Sequence, residues 1–417
     1  MSSTRVDGRQ DPLRNVLIVS VDDPYKGGGV GGKHTHIRLL EDGLRTLGVT
    51  AMIAAVRNTL SFRLLRRYPG AIRRRLMRSR DEKYAHYMDQ HAAELMRVLI
   101  RLPLDNVVAN PQDIVSAHVL QEVLAMQSKK MRMVLTLHGY FTMEATSDRE
   151  LHDGSPQNVR FKEMEKQVYE QVTRIICVDS KIRDYVLSMS STKAEKVAVI
   201  PNAVDVNRFR PPTPVQKNAF RKELDLPEDA LVVLCPRRLV VKNGVEFAVQ
   251  AMTQVKKSNP KAILILAGDG PEKAHIEDIV SQQCLWESVR MAGSVPHERI
   301  VKFYGASDLV LIPSVASAGV EEATSLAMLE GMASGKPVIV TDIGGLKETV
   351  RNGRTGLIVP QANPDAMAEA IAKLSTDKEL YQFISSNALE YVREEHSHLV
   401  HAKKVLTEYE RALASDG

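Results

Sequence analysis

The chain is divided near its middle by Pro201-Asn-Ala-Val-Asp-Val-Asn-Arg-Phe-Arg-Pro-Pro-Thr-Pro214. Four prolines among polar residues indicate a linker, because proline can continue neither a helix nor a central strand. The 417 residues exceed one ordinary domain and suit two domains of about 200 residues each. The linker therefore predicts two halves that face each other across a cleft.

Short apolar runs recur on both sides of this linker, and helical patterns separate them. Continuous runs of this length are typical of strands that are buried on both faces. The runs are 16–19, 51–54, 114–117, 133–136, 175–178, 231–234, 263–266, 309–312 and 338–340. Strands alternating with helices predict an α/β fold, with two doubly wound, Rossmann-like domains built on parallel sheets.

A glycine-rich loop, Lys26-Gly-Gly-Gly-Val-Gly-Gly-Lys33, follows the first predicted strand and precedes a helical pattern. Gly28, Gly29, Gly31 and Gly32 expose backbone N–H groups, which together with the helix dipole favour an anion such as phosphate. The spacing is neither that of a P-loop nor GxGxxG. A flexible surface loop is the alternative interpretation.

Ligands of open parallel sheets bind beyond the carboxyl ends of the strands, so polar residues there are candidates. His138 follows the fourth run and either contacts a reacting sugar or is a structural histidine. Arg238 and Lys242 follow the run 231–234. These cations could neutralise a leaving diphosphate, although a surface turn would also tolerate them.

Glu322 and Glu330 lie eight residues apart after the run 309–312. On a helix this spacing is slightly over two turns, so both carboxylates would face nearly the same way. With a helix beginning near Thr324, the free N–H groups of its first turn could bind phosphate while the carboxylates accept hydrogen bonds from sugar hydroxyls. A solvated acidic face is the alternative.

Together these segments resemble the retaining glycosyltransferases of family 4, which have the GT-B architecture of two Rossmann-like domains. The resemblance covers nearly the whole chain. The residues that carry it are Ile200 to Asp205 with Phe209 and Pro211, Gly268 to Pro271, and Glu322 to Gly335 with Pro337, Val338, Gly344, Gly345 and Glu348.

The resemblance implies a role for each site residue. Glu330 would bind the ribose hydroxyls, Glu322 the donor sugar, and Arg238 and Lys242 the diphosphate. The catalytic set would be His138, Arg238, Lys242 and Glu322, and donor binding would add Gly28, Gly29, Gly31, Gly32, Ser325, Leu326, Ala327 and Glu330. One departure is that Lys242 follows Arg238 by four residues rather than five, with Asn243 in the usual lysine position.

The implied activity is retaining, metal-independent transfer of a hexose from a nucleotide-sugar, expected to be UDP-linked, to a hydroxyl acceptor. No cofactor and no metal site are predicted, because no Asp-x-Asp or His/Asp cluster follows a strand. Residues 1–203 would form the acceptor-side domain and 204–394 the donor-binding domain, with a helix at about 395–417 packing back on the first. Alternatives are a same-fold epimerase or phosphorylase, and a non-catalytic peripheral membrane or partner-binding protein.

Between residues 43 and 80 the sequence has ten arginines and no Asp or Glu. A basic amphipathic segment at 57–80 indicates contact with a membrane surface or with an anionic or lipid-linked acceptor. A solvated helix or a subunit interface is the alternative. No nucleic-acid motif accompanies the arginines, so no nucleic-acid partner is predicted. Residues 1–11 lack the apolar core of a signal peptide, which predicts a cytoplasmic protein. The basic segment at 57–80 would place this protein at the inner face of the membrane.

Overall fold

The computed structural model describes residues 13, 15–25, 32–56, 79–102, 104, 107–147, 150–317 and 319–415. Strands and helices alternate along nearly all of this length. The strands are β1 (Asn15–Ser20), β2 (Thr50–Ala55), β3 (Val108–Pro111), β4 (Val134–Leu137), β5 (Arg174–Cys177), β6 (Val197–Val199), β7 (Val232–Cys235), β8 (Ile263–Ala267), β9 (Val289–Gly293), β10 (Leu309–Ile312), β11 (Val338–Thr341) and β12 (Leu357–Val359). The helices are α1 (Gly32–Thr46), α2 (Arg80–Leu99), α3 (Ile114–Met126), α4 (Phe141–Ser147), α5 (Pro156–Gln171), α6 (Ser180–Met189), α7 (Pro214–Glu223), α8 (Val245–Ser258), α9 (Lys273–Gln282), α10 (His297–Ala306), α11 (Leu326–Ala333), α12 (Gly344–Thr349), α13 (Pro364–Thr376), α14 (Lys378–Glu395) and α15 (His398–Ala414).

The first half of the chain forms a parallel sheet made of two groups of three strands, in the orders β2-β1-β3 and β4-β5-β6. A bridge between Ala109 and Met133 joins the two groups of strands, and the Ala109 N–H donates to the Arg132 carbonyl at 3.0 Å. The order reverses between β1 and β3. At such a switch point the connections leave in opposite directions and open a crevice at the carboxyl ends of the strands.

The second half forms a six-stranded parallel sheet in the order β12-β11-β10-β7-β8-β9. This is the strand order of a dinucleotide-binding Rossmann domain, with its switch point between β7 and β10. The loops after these two strands therefore start side by side. The two halves are Rossmann-like domains, and each has apolar clusters on both faces of its sheet.

The prediction of a strand at 114–117 is wrong, because these residues form the first turn of α3. Asp113 caps this helix, and its carboxylate accepts the N–H of Ser116 at 2.7 Å. All four residues are buried, as in a buried strand, and the exposed side chains of the helix, Glu122, Ala125 and Met126, come only later along the chain. The strand of this region is β3, which lies just upstream.

The end of the chain returns to the first half. Helix α15 packs against α1, β4 and β5, and the hydroxyl of Tyr409 donates to Asn110 Oδ1 at 2.8 Å in β3. The contact with α1 is close. A Cβ atom on Gly43 would lie 2.6 Å from the Cβ of Ala402, so only glycine allows this approach. The last helix thus packs on the first half of the chain.

Candidate functional site

A buried polar cluster at the switch point of the second sheet is centred on Arg237. Its guanidinium donates to Glu322 Oε2 at 2.7 Å, to Ser314 Oγ at 3.1 Å and to Ser325 Oγ at 3.2 Å. It also donates to the side-chain oxygen of Asn243. The side chains of Arg237 and Glu322 are only 10% and 15% exposed. Each charge therefore depends on the other to offset its loss of water.

The Gly268-Asp-Gly-Pro turn holds the backbone that carries Arg237. A Cβ on Gly268 would lie 1.9 Å from the Arg237 carbonyl oxygen, and one on Gly270 would lie 2.3 Å from that of Leu239. The Leu239 N–H donates to the Asp269 carbonyl at 3.1 Å. Both glycines are required by this close approach, which explains their place in the sequence pattern.

A second pair of glycines supports Glu322 in the same way. A Cβ on Gly344 would lie 2.1 Å from the Glu322 carbonyl oxygen, and one on Gly345 would lie 2.6 Å from the Thr324 nitrogen. The Gly345 N–H also donates to the Glu322 carbonyl at 2.8 Å. The position of the carboxylate is thus set by backbone packing as well as by Arg237.

Helix α11 begins in the cleft. Its N-cap residue is Ser325, whose side chain makes no capping hydrogen bond to the helix. The N–H groups of Leu326 and Ala327 and the positive end of the helix dipole are therefore available to an anion. The start of α1 lies opposite, since a Cβ on Gly32 would be 3.6 Å from Leu326 Cδ1. Gly28, Gly29 and Gly31 lie outside the described residues.

The structure places Arg237, rather than the predicted Arg238, in this cluster. Arg238 is exposed, and none of the described acidic side chains forms an ion pair with it. Successive side chains of an extended segment point in opposite directions, so only one of two adjacent arginines can face the cleft. Asn243 stabilises this turn by donating to the Arg238 carbonyl at 2.8 Å.

Lys242 reaches across the cleft to the first domain. Its ammonium Nζ lies 3.7 Å from Oε1 of Glu144, which is on α4. Lys242 therefore lies within reach of both domains, on the side of the cleft where β4 ends. This position is compatible with the predicted contact to a diphosphate.

His138 follows β4, and its hydrogen bonds define its tautomer. Its Nε2 lies 3.1 Å from Gln112 Oε1. The Gln112 amide nitrogen donates to Asn110 Oδ1, so the oxygen is the amide atom that faces His138. Nε2 must then carry the proton, which leaves Nδ1 as an acceptor. Burial, with a smaller effect of the Lys33 charge, lowers the pKa of His138 to about 3. The ring is therefore neutral near pH 7.

Glu330 lies within α11, where the hydroxyl of Tyr304 donates to its Oε2 at 2.8 Å. Burial raises the pKa of Glu330 from 4.5 to about 7, and the Tyr304 hydrogen bond opposes this shift only in part. The carboxylate borders a cavity of about 200 Å³ that is also lined by Thr35 and Arg38 of α1 and by Arg208 of the linker. Both domains thus contribute to the surroundings of this carboxylate.

Glu322 and Glu330 both lie at helix α11 or just before it, but their carboxylates accept hydrogen bonds from different side chains. Glu322 is held by Arg237 before the helix begins, whereas Glu330 is held by Tyr304 in the second turn. Helix α11 begins at Leu326, two residues later than predicted. The structure thus separates the uncapped start of the helix from a polar pocket farther along it.

Sequence reasoning missed three side chains that orient the site: Asn243, Ser314 and Tyr304. Asn243 could have been found, because it occupies the position at which the resembling family has lysine. Arg237 has no such signal, because all four residues of β7 are buried and the alternation of side chains does not tell which of the two arginines faces the cleft. Tyr304 comes from α10, and no local pattern connects it with Glu330.

The arginine-rich segment lies almost entirely outside the described residues, which resume at Ser79. Ser79 caps α2, and its hydroxyl accepts the Glu82 N–H at 3.2 Å. Across the described part of the chain, no helix combines the length and the apolar character needed to cross a membrane.

Two family models match the chain in succession. The model described as Glycosyltransferase Family 4 matches residues 30–208, and the one described as Glycosyl transferases group 1 matches residues 216–391. The chain belongs to glycosyltransferase family 4. The boundary between the two matches coincides with the proline-containing linker, so each of the two matches corresponds to one sheet of this family 4 chain.

Curated relatives match this family 4 chain over part of their length. An uncharacterized glycosyltransferase of Methanocaldococcus jannaschii is 29% identical over 58% of this chain and 61% of its own. A GDP-mannose-dependent monoacylated α-(1-6)-phosphatidylinositol monomannoside mannosyltransferase of Corynebacterium glutamicum is 31% identical over 43% of this chain and 46% of its own. The chain thus matches about half to three-fifths of the length of these relatives.

The fold also occurs in solved structures. The crystal structure of Anabaena HepE in complex with UDP superimposes with a TM-score of 0.72 and covers 96% of this chain and 100% of its own. At 17% identity this likeness concerns the fold alone. It confirms the GT-B arrangement of two Rossmann-like domains.

The raised pKa of Glu330 predicts a pH-dependent stability. Because the folded protein binds this proton more tightly than the unfolded chain, the free energy of unfolding should fall as pH rises from about 4.5 to about 7. A shift of this size corresponds to roughly 3 kcal/mol. Glu330→Gln should abolish this fall and make the variant the more stable protein at pH 8.

Chemical denaturation of the wild type and of Glu330→Gln between pH 4 and pH 8 measures the difference in their free energies of unfolding. All other titratable groups are present in both proteins, so their effects cancel in this difference. Glu390→Gln, which changes an exposed carboxylate on α14, is the matched control and should run parallel to the wild type. Parallel curves for Glu330→Gln as well would show that burial does not shift this carboxyl.

Proposed function

We propose that this protein is a retaining, metal-independent glycosyltransferase that moves a hexose from a nucleotide-sugar to a hydroxyl acceptor. The observation that supports this most is the convergence at the start of α11. Uncapped N–H groups and the guanidinium of Arg237, which donates to Ser325, meet there, and the Glu330 carboxylate lies one to two turns along the same helix. Lys242 comes from the same loop as Arg237, and its ammonium lies in the cleft beside Glu144. A ligand that carries an anionic group next to a diol, as a nucleotide does, would fit this arrangement of groups.

The donor would lie along α11. Its diphosphate would accept hydrogen bonds from the N–H groups of Leu326 and Ala327 and from Arg237. Its ribose diol would donate to Glu330. Glu322 accepts from Arg237 through Oε2, so we assign its other oxygen, Oε1, to a hydroxyl of the transferred sugar.

The reaction that we propose needs no protein nucleophile. The bond between the sugar C1 and the phosphate oxygen breaks while the acceptor oxygen bonds to C1 from the same face. The acceptor proton passes to the leaving phosphate, so the configuration at C1 is retained. The cations and the helix N-terminus stabilise the negative charge that grows on this phosphate, and the burial of Arg237 strengthens its contribution.

The donor that we propose is a UDP-hexose, and a GDP-hexose is the competing possibility because one relative is named for GDP-mannose. Incubation with a panel of UDP-, GDP- and ADP-sugars, followed by measurement of released nucleoside diphosphate, tests the donor. We expect release from one donor class, undiminished in EDTA. No release from any donor would contradict the activity, and loss in EDTA that Mg²⁺ or Mn²⁺ restores would contradict metal independence.

Arg237 and Arg238 provide a matched pair of substitutions. Arg237→Gln should lower kcat by roughly 100-fold, because it removes a donor to the charge that develops on the leaving phosphate. Arg238→Gln should retain at least about a fifth of the wild-type kcat, since an exposed charge contributes little. Steady-state release of nucleoside diphosphate measures both, and the thermal unfolding midpoint verifies that each variant is folded. The opposite order of effects would assign the role to Arg238.

The acceptor that we propose is anionic or lipid-linked. The arginine-rich segment at 57–80 supports this, as does the lipid acceptor in the name of the Corynebacterium relative. A basic segment gains about 1 kcal/mol per cation near an anionic surface. Co-sedimentation with phosphatidylglycerol vesicles should therefore occur at low salt and be lost at high salt. No sedimentation at low salt would contradict membrane contact.

A further inference from the structure

An ion pair crosses the cleft at the point where the donor's diphosphate is proposed to bind. It joins Lys242 of the donor-binding half to Glu144 of the acceptor-side half, with 3.7 Å between Nζ and Oε1. The two side chains are 27% and 39% exposed. The pair is therefore solvated enough to break readily, which distinguishes it from the buried pair of Arg237 and Glu322.

Backbone packing directs the Glu144 carboxylate into this position. A Cβ on Gly139 would lie 2.4 Å from Glu144 Oε1, so the carboxylate rests against the residue that follows His138. The Glu144 N–H donates to the Tyr140 carbonyl at 2.7 Å, which fixes the start of α4. Glu144 thus lies between the end of β4 and the ammonium of Lys242.

A diphosphate and a carboxylate cannot both occupy the same face of one ammonium. The diphosphate carries the larger charge and gains hydrogen bonds from α11 that Glu144 cannot make. We propose that Glu144 is a positioning residue that holds Lys242 across the cleft in the ligand-free protein and is displaced from it by the donor's diphosphate. This inference rests on the proposed function and adds a residue that the sequence pattern does not include.

Two physical effects of Glu144 oppose the binding of a diphosphate. The ion pair must break, and an exposed pair of this kind contributes at most about fivefold to an equilibrium. The carboxylate also lowers the positive potential at Lys242, and salt screens this effect. Removal of the charge at Glu144 should therefore strengthen diphosphate binding, whereas loss of a merely structural residue would weaken it or leave it unchanged.

The test uses Glu144→Gln, which preserves the shape of the side chain. Isothermal titration compares the binding of UDP and GDP with that of uridine and guanosine, which lack the diphosphate. For the nucleotide that the wild type binds, we expect the variant to bind about twofold to fivefold more tightly at low salt. The affinity for the corresponding nucleoside should not change, and the gain should shrink in 0.5 M salt to roughly nothing.

Two further variants show whether the effect acts through Lys242. In the Lys242→Met background, Glu144→Gln should have no effect on the affinity for the diphosphate, because the interaction being removed is already absent. Lys181→Met is the matched control. It removes another ion pair between the halves, Lys181 to Glu321 at 4.0 Å, without touching Lys242. It should leave the affinity unchanged.

Three results would overturn the inference. The first is unchanged or weaker diphosphate binding by Glu144→Gln. The second is that Glu144→Gln raises the affinity for the diphosphate equally in the Lys242→Met background. The third is an equal gain with Lys181→Met, which would show that any loosening between the halves has this effect. A wild-type protein that binds neither UDP nor GDP would instead contradict the proposed function, so the two failures are distinguishable.

Discussion

The geometry of the cleft depends on the hydrogen bonds of Asn202, a buried residue at the start of the linker. Its amide Nδ2 donates to the Thr324 carbonyl at 2.9 Å, next to the start of α11. Its Oδ1 accepts from Nδ1 of His36 on α1 at 3.2 Å, and its backbone carbonyl accepts from Nδ1 of His396 at 3.0 Å. One side chain and one carbonyl therefore tie both halves to the segment that leads into the last helix.

These contacts determine the state of the histidines around the linker. His36, His396 and His401 each face a carbonyl or amide oxygen through Nδ1, so each must carry its proton there. Burial lowers the pKa of all three, and the mutual approach of His36 and His401 adds to the shift for His401. Because these rings are neutral, the positive charge of the cleft comes from lysine and arginine side chains, among them Arg38, Arg208, Arg237 and Lys242, and from the helix N-termini.

The fold class could be predicted from the sequence, because it follows from local patterns. Apolar runs predict buried strands, and the spacing of Glu322 and Glu330 indicates that both lie in or beside one helix. The first turn of α3 at 114–117 was predicted as a strand, since it is buried and a short apolar run does not distinguish a strand from a helix; the cap at Asp113 is the local signal for the helix. Partners distant in the sequence also escaped prediction. Tyr304 and Glu144 reach the site only through the packing of α10 and of α4.

The start of α11, beside Arg237, is where we propose that the diphosphate of a nucleotide-sugar binds. A crystal structure with the bound nucleoside diphosphate tests this most directly. We expect phosphate oxygens at about 3 Å from the backbone nitrogens of Leu326 or Ala327 and from the Arg237 guanidinium, with the ribose diol at Glu330. A diphosphate bound away from the start of α11, or a ribose that does not reach Glu330, would contradict it.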